Sequence, residues 1–133
     1  MEAQGHALKG ARCGLVGCGG AGAAIALVLL GRGVASLSVW DVDQTRAAHL
    51  AARLQAIAPI EIAIAPPDAS CDIAINATPL GMDESDPVPV PLDALQRQAV
   101  VADAIMKPPR TKLLREAKLR GHPIQEGRHM LVH

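Results

Sequence analysis

The sequence predicts an α/β fold of three layers: a doubly wound parallel sheet of about six strands with helices on both faces. Three observations predict it. Short apolar runs alternate with helical patterns along the chain, as parallel strands joined by right-handed crossovers require. Gly17, Gly19 and Gly22 stand in G-x-G-x-x-G spacing where the first apolar run gives way to a helix-forming stretch. Asp41 closes the second apolar run, at about the 20-residue separation at which a carboxylate meets a nucleotide ribose.

Composition bounds the remaining possibilities. A chain of 133 residues suffices for one domain with its own core and falls short of two, so 1–133 reads as a single domain. Half the residues are apolar and Trp40 is the only aromatic, which leaves Ala, Val, Leu and Ile to fill the core. Basic and acidic residues balance at 13 each, removing the electrostatic footprint of a nucleic-acid binder. Cys13, Cys18 and Cys71 are odd in number and form no C-x-x-C pair, and no secretory signal precedes them; reduced thiols in a cytoplasmic protein are expected. The longest apolar run, 21–30, is stopped by Gly31-Arg32-Gly33 and is too short to cross a bilayer, so no membrane insertion is expected.

In chain order, residues 1–10 read as a lead-in ending in the turn Leu8-Lys9-Gly10, and 13–16 as the first strand. The helix at 20–30 is apolar on all sides, which predicts burial beneath its neighbours. A second strand over 37–40 ends in Asp41-Val42-Asp43, and Asp43 is the N-cap of a helix whose apolar positions Ala47, Leu50, Ala51 and Leu54 repeat at i, i+3, i+4, i+7. Pro59 ends that helix, 60–64 alternates as a third strand, Pro66-Pro67-Asp68 turns the chain, and 71–76 is a fourth strand. Prolines and Asp83, Glu84 and Asp86 make 78–91 a surface loop. A short helix near 92–96, a fifth strand over 100–105, a helix over 111–120 with Leu113, Leu114 and Ala117 inward, and a short sixth strand at 123–125 complete a Rossmann-type sheet.

Ligands of such a sheet lie beyond the carboxyl ends of the strands where the strand order reverses. Four loops meet there: 17–22, 41–43, 76–82 and 103–107. The glycines serve in turn the tight turn, the close approach of backbone to a pyrophosphate, and the packing of helix on strand. Asp41 accepts the adenosine ribose hydroxyls, because Asp43 already supplies the cap; a carboxylate there repels a ribose phosphate and favours NAD over NADP, with Arg46 one turn on as the opposing charge. Thr78 and its loop backbone line the nicotinamide ribose. Cys18 reads as filler at a small-residue position rather than a reactive thiol, Lys107 as solvated, and His122, His129 and His133 as ordinary polar residues whose spacing fits no metal motif.

Together Leu8-Lys9-Gly10, the run 17–22, Asn76-Ala77-Thr78-Pro79-Leu80-Gly81-Met82, Asp103, Pro108 with Thr111 and Leu113-Leu114, and Gly127 with Met130-Leu131 resemble the shikimate dehydrogenase family, specifically its C-terminal cofactor-binding domain. The resemblance implies hydride transfer between a nicotinamide cofactor and shikimate, quinate or a related hydroxy-ring acid. It places Gly17, Cys18, Gly19, Gly20, Ala21, Gly22, Asp41, Val42, Asn76, Ala77, Thr78, Ala104, Gly127 and Met130 against the cofactor, the last two at the nicotinamide. Val42 stands where NADP-using members carry an arginine, which supports NAD, and Met106 replaces a tyrosine that touches shikimate. The family's catalytic Lys and Asp belong to an N-terminal domain that residues 1–12 do not supply, so the resemblance implies no catalytic residue here, a substrate bound through that missing domain, and no turnover by the chain alone. A stand-alone, non-catalytic nucleotide- or partner-binding module is the alternative, and a homodimer stays open.

Overall fold

The computed structural model describes residues 8–78, 88–104 and 112–125. In order they form β1 (Arg12–Val16), α1 (Gly20–Gly31), β2 (Ser36–Trp40), α2 (Gln44–Ile57), β3 (Glu61–Ile64), β4 (Ile73–Asn76), a 3-10 turn (Leu92–Ala94), β5 (Val100–Asp103), α3 (Lys112–Leu119) and β6 (Ile124–Gln125). The six strands make one sheet in the order β3-β2-β1-β4-β5-β6, every pair parallel. The chain thus walks outward from β1 to β3, returns to lay β4 beside β1, and walks outward again to β6. That reversal between β1 and β4 is what opens a crevice, because the loops leaving the two strands run in opposite directions.

Alternation along the strands divides the core into two layers. Leu15, Leu37, Val39, Ile62, Ile73, Ile75 and Ala102 face the helices α1 and α2. Val16, Ala74 and Val101 face the other way, toward Leu113, Leu114 and Ala117 of α3. Every residue of β4 and β5 is buried, as strands with both faces covered should be. In α2 the buried residues are Ala47, Leu50, Ala51 and Leu54, and Asp43 caps the helix by accepting from the amides of Thr45 and Arg46 at 3.0 and 3.3 Å.

The structure corrects several expectations. Helix α1 is not buried all round: Gly22, Ile25, Ala26 and Leu29 pack inward, while Leu27 and Val28 are 47% and 54% exposed. Strand β3 lies at the sheet edge, where Ile62 is buried while Ile64, on the same face of the strand, is 46% exposed. The end of the expected surface loop is core, since Val90 is buried against the α3 layer. His122, read as an ordinary polar residue, is buried, its Nδ1 3.1 Å from the Ala99 carbonyl. Residues 79–87 of the expected 78–91 loop, the strand end at Ile105, and Met106, Lys107, Pro108, Thr111, His129, Leu131 and His133 lie outside the described residues.

The return from β3 to β4 contains no helix. Pro67 and Cys71 lie directly on Gly14 of β1, where an added Cβ would stand 3.0 Å from Pro67 Cβ and 2.9 Å from Cys71 Sγ. Gly14 is therefore what lets so short a connection cross the sheet. No helix of the described residues is long and apolar enough to cross a membrane.

Candidate functional site: the crevice between β1 and β4

The turn from β1 into α1 is held from below. The Gly17 amide donates to the Trp40 carbonyl at 2.7 Å, and Gly17 has φ +104°, a conformation that suits glycine. A Cβ on Gly17 would lie 2.8 Å from the Ala77 carbonyl carbon and 2.9 Å from the Thr78 nitrogen; a Cβ on Gly22 would lie 1.9 Å from the Gly17 oxygen. These two glycines are demanded by the protein's own packing. Gly19 and Gly20 are different. Among the described residues, a Cβ on Gly20 would meet nothing within 4 Å, and one on Gly19 only Arg46 Nη1 at 4.0 Å. The described residues therefore leave the space over the middle of the loop open. The first helical bond runs from the Ala23 amide to the Gly19 carbonyl at 2.9 Å, so the amides of Gly20, Ala21 and Gly22 precede it at the positive end of the helix dipole. Such an end accepts an anion.

Asp41 emerges from β2 into the floor of this loop. It is 8% exposed; its Oδ2 accepts from the Cys18 amide at 2.9 Å and its Oδ1 from the Asp43 amide at 2.8 Å. The carboxylate is neither a helix cap nor a solvated turn, and among the described residues these bonds take two of its roughly four acceptor positions. Sequence reasoning placed Asp41 at the crevice but missed that it ties the glycine loop down. The signal was in the pairing of β1 with β2, which sets Val16 against Trp40 and so brings the residues that follow each strand together. Val42, next along, is 92% exposed, and Arg46 Nε lies 3.6 Å from Asp43 Oδ2.

Cys18 faces inward. Burial, and then the Asp41 charge, push its thiol up to about 11, so it stays protonated and unreactive at neutral pH, in keeping with a filler role.

The opposite wall is the end of β4. Asn76 is wholly buried; its Oδ1 accepts from the Thr78 amide at 2.9 Å and the Thr78 hydroxyl at 2.7 Å, and its Nδ2 donates to Asp103 Oδ1 at 3.2 Å and to the Thr78 carbonyl at 3.3 Å. The Ala77 amide donates to the Val16 carbonyl at 2.7 Å and the Ala104 amide to the Asn76 carbonyl at 2.8 Å. The structure thus brings Gly17 to Gly22, Asp41, Asn76, Ala77, Thr78 and Ala104 to one end of the sheet. Val42 sits on the rim, and Gly127 and Met130 lie outside the described residues. A separate shallow hollow, lined by Arg12, Ser36, Ser38, Glu61, Asp68 and Cys71 among others, lies toward the amino ends of β1 to β3 and takes no part in this site.

Sheet order, glycine turn and crevice together define the class: a nucleotide-binding domain of the Rossmann type. No protein-family model matches the chain. A shikimate dehydrogenase (NADP(+)) of Symbiobacterium thermophilum is 37% identical over 145 residues, a match that takes in 100% of this chain and 49% of that protein. Among solved structures, the ligand-free 5-ketofructose reductase of Gluconobacter sp. strain CHM43 is 32% identical with a TM-score of 0.87, over 98% of this chain and 50% of that one. The quinate dehydrogenase of Corynebacterium glutamicum in complex with NAD is 31% identical with a TM-score of 0.82, over 99% and 49%. Over its length the chain matches the nucleotide-binding domain of shikimate dehydrogenase-like oxidoreductases, and it spans about half the length of the relatives it matches.

Proposed function

We propose that the crevice binds a nicotinamide dinucleotide and serves as the cofactor half of an oxidoreductase that moves hydride between that cofactor and a hydroxy-ring acid of the shikimate or quinate kind. The observation that carries this reading is the juxtaposition of open space over Gly19 and Gly20 with the Asp41 carboxylate beneath the same turn. In it the pyrophosphate rests on the amides of Gly19, Gly20, Ala21 and Gly22, Cys18 fills the floor, and Asp41 takes the adenosine ribose hydroxyls. Ala77, Thr78 and Ala104 face the nicotinamide side with Asn76 behind them, and Gly127 and Met130 complete that side by resemblance.

The cofactor we propose is NAD. A ribose phosphate would stand against the Asp41 carboxylate, Val42 offers it no charge, and Arg46 is paired with Asp43. The relatives named for NADP(+) speak for the other cofactor, while the quinate dehydrogenase structure holds NAD. Hydride transfer also needs a held acceptor and a general acid or base. We assign these to a second domain, so the 133-residue chain alone should not turn over shikimate or quinate. Isothermal titration of the chain with NAD and NADP tests the assignment: tighter binding of NAD is expected, and binding of neither, or preference for NADP, overturns it.

A further inference from the structure

Asn76 and Asp103 end neighbouring strands in direct register, and both are 0% exposed. A carboxylate withdrawn from water is costly unless hydrogen bonds hold it, so its position calls for a reason. The Asn76 amide gives one. Its oxygen takes two donors from Thr78, and its nitrogen donates to Asp103 and to the Thr78 carbonyl. Those contacts use all four bonding positions of the side chain and allow only one orientation. Turned over, the amide would set its N–H groups against the Thr78 N–H and its oxygen against the Asp103 carboxylate. The 77–78 peptide fixed in this way is the one that a Cβ on Gly17 would meet at less than 3 Å, so the two walls of the crevice share one anchor.

We propose that Asp103 is a positioning residue of the dinucleotide site: through the Asn76 amide it fixes the Thr78 hydroxyl and the 77–78 peptide on the nicotinamide side of the crevice. The proposal rests on the reading of the crevice as a dinucleotide site. Its effect is confined to one half of the ligand, because the adenosine half meets the glycine loop and Asp41 instead.

The test is to titrate ADP and NAD into the 133-residue chain as wild type, Asn76→Asp, and the exchange Asn76→Asp with Asp103→Asn. Asn76→Asp sets two carboxylates face to face and should lower NAD affinity by about tenfold or more with ADP affinity unchanged. The exchange restores a donor at 103 and the acceptor at 76 for the Thr78 amide and hydroxyl, leaving only the Thr78 carbonyl without its donor, and should recover most of the NAD affinity that Asn76→Asp loses, a rescue that mere loss of packing would not show. NAD binding by Asn76→Asp at the wild-type level, or an exchange variant that binds ADP normally and NAD weakly, overturns the proposal. If Asn76→Asp alone does not fold, the exchange variant decides on the same criterion. A wild-type chain that binds neither ligand removes the dinucleotide reading and this proposal with it; a wild type that binds both, beside an Asn76→Asp that loses neither, removes this proposal alone.

Discussion

Replacing Asp41 with alanine tests the load carried by the floor of the crevice. The substitution removes a carboxylate that accepts bonds of 2.9 and 2.8 Å from the Cys18 and Asp43 amides. Cys18 is buried, so its amide is left without a partner, whereas the Asp43 amide, on an exposed residue, turns to water. A hydrogen bond to a charged acceptor together with the stranded buried donor is worth about 3 kcal/mol, with the Asp43 bond adding little. For a domain of this size that lowers Tm by roughly 10 °C. Urea unfolding monitored by circular dichroism should show the midpoint falling at constant slope, the mark of a stability change without a change in the denatured chain. Asp41→Asn should fall between, because its one carbonyl oxygen serves one amide while its amino group opposes the other. A loss below about 0.5 kcal/mol for Asp41→Ala, the range of ordinary surface substitutions, would refute the claim that this carboxylate holds the glycine loop.

Gly22→Ala places a methyl 1.9 Å from the Gly17 oxygen, so the turn must move; about 1–3 kcal/mol of stability and most of the NAD affinity should go, as read by urea unfolding and calorimetry. Val42→Arg, at a position 92% exposed, should leave stability within about 0.5 kcal/mol and raise NADP affinity about tenfold, as a charge-assisted bond to the ribose phosphate would. The Cys13 thiol is pushed up to about 12 from 9.0, first by burial and then by Cys71 and Asp72. The unfolded thiol ionises near 9.0 and the folded one resists, so this contribution is full below pH 9 and is lost as pH rises toward 12. Urea midpoints measured from pH 8 to 11 should decline, and Cys13→Ala should make the decline shallower.

What the sequence made legible follows from what its patterns encode. Helix α2 was readable to the residue because its polar face shows which side is inward, and Ala47, Leu50, Ala51 and Leu54 are the four that pack. Helix α1 has no polar residue to mark an outer face, so its length was readable and the exposure of Leu27 and Val28 was not. Val90 looked like loop because prolines surround it, yet the α3 layer closes over it. At the site, the glycine spacing and Asp41 were visible as residue types at set distances. Their mutual contact was not, since the Asp41 carboxylate meets the Cys18 amide across 23 residues through strand pairing. Asp103 was legible only as a strand end, and its complete burial against Asn76 depends on the neighbouring strand 27 residues away. Histidine spacing answered a question about metals, while His122 packs beneath the Ala99 carbonyl.

The most direct trial of the whole account is a crystal of the chain soaked in NAD. The account predicts the diphosphate oxygens within hydrogen-bonding reach of the amides of Gly19 to Gly22, and both adenosine ribose hydroxyls on the Asp41 carboxylate. NAD bound elsewhere, or an adenosine ribose turned away from Asp41, would contradict it.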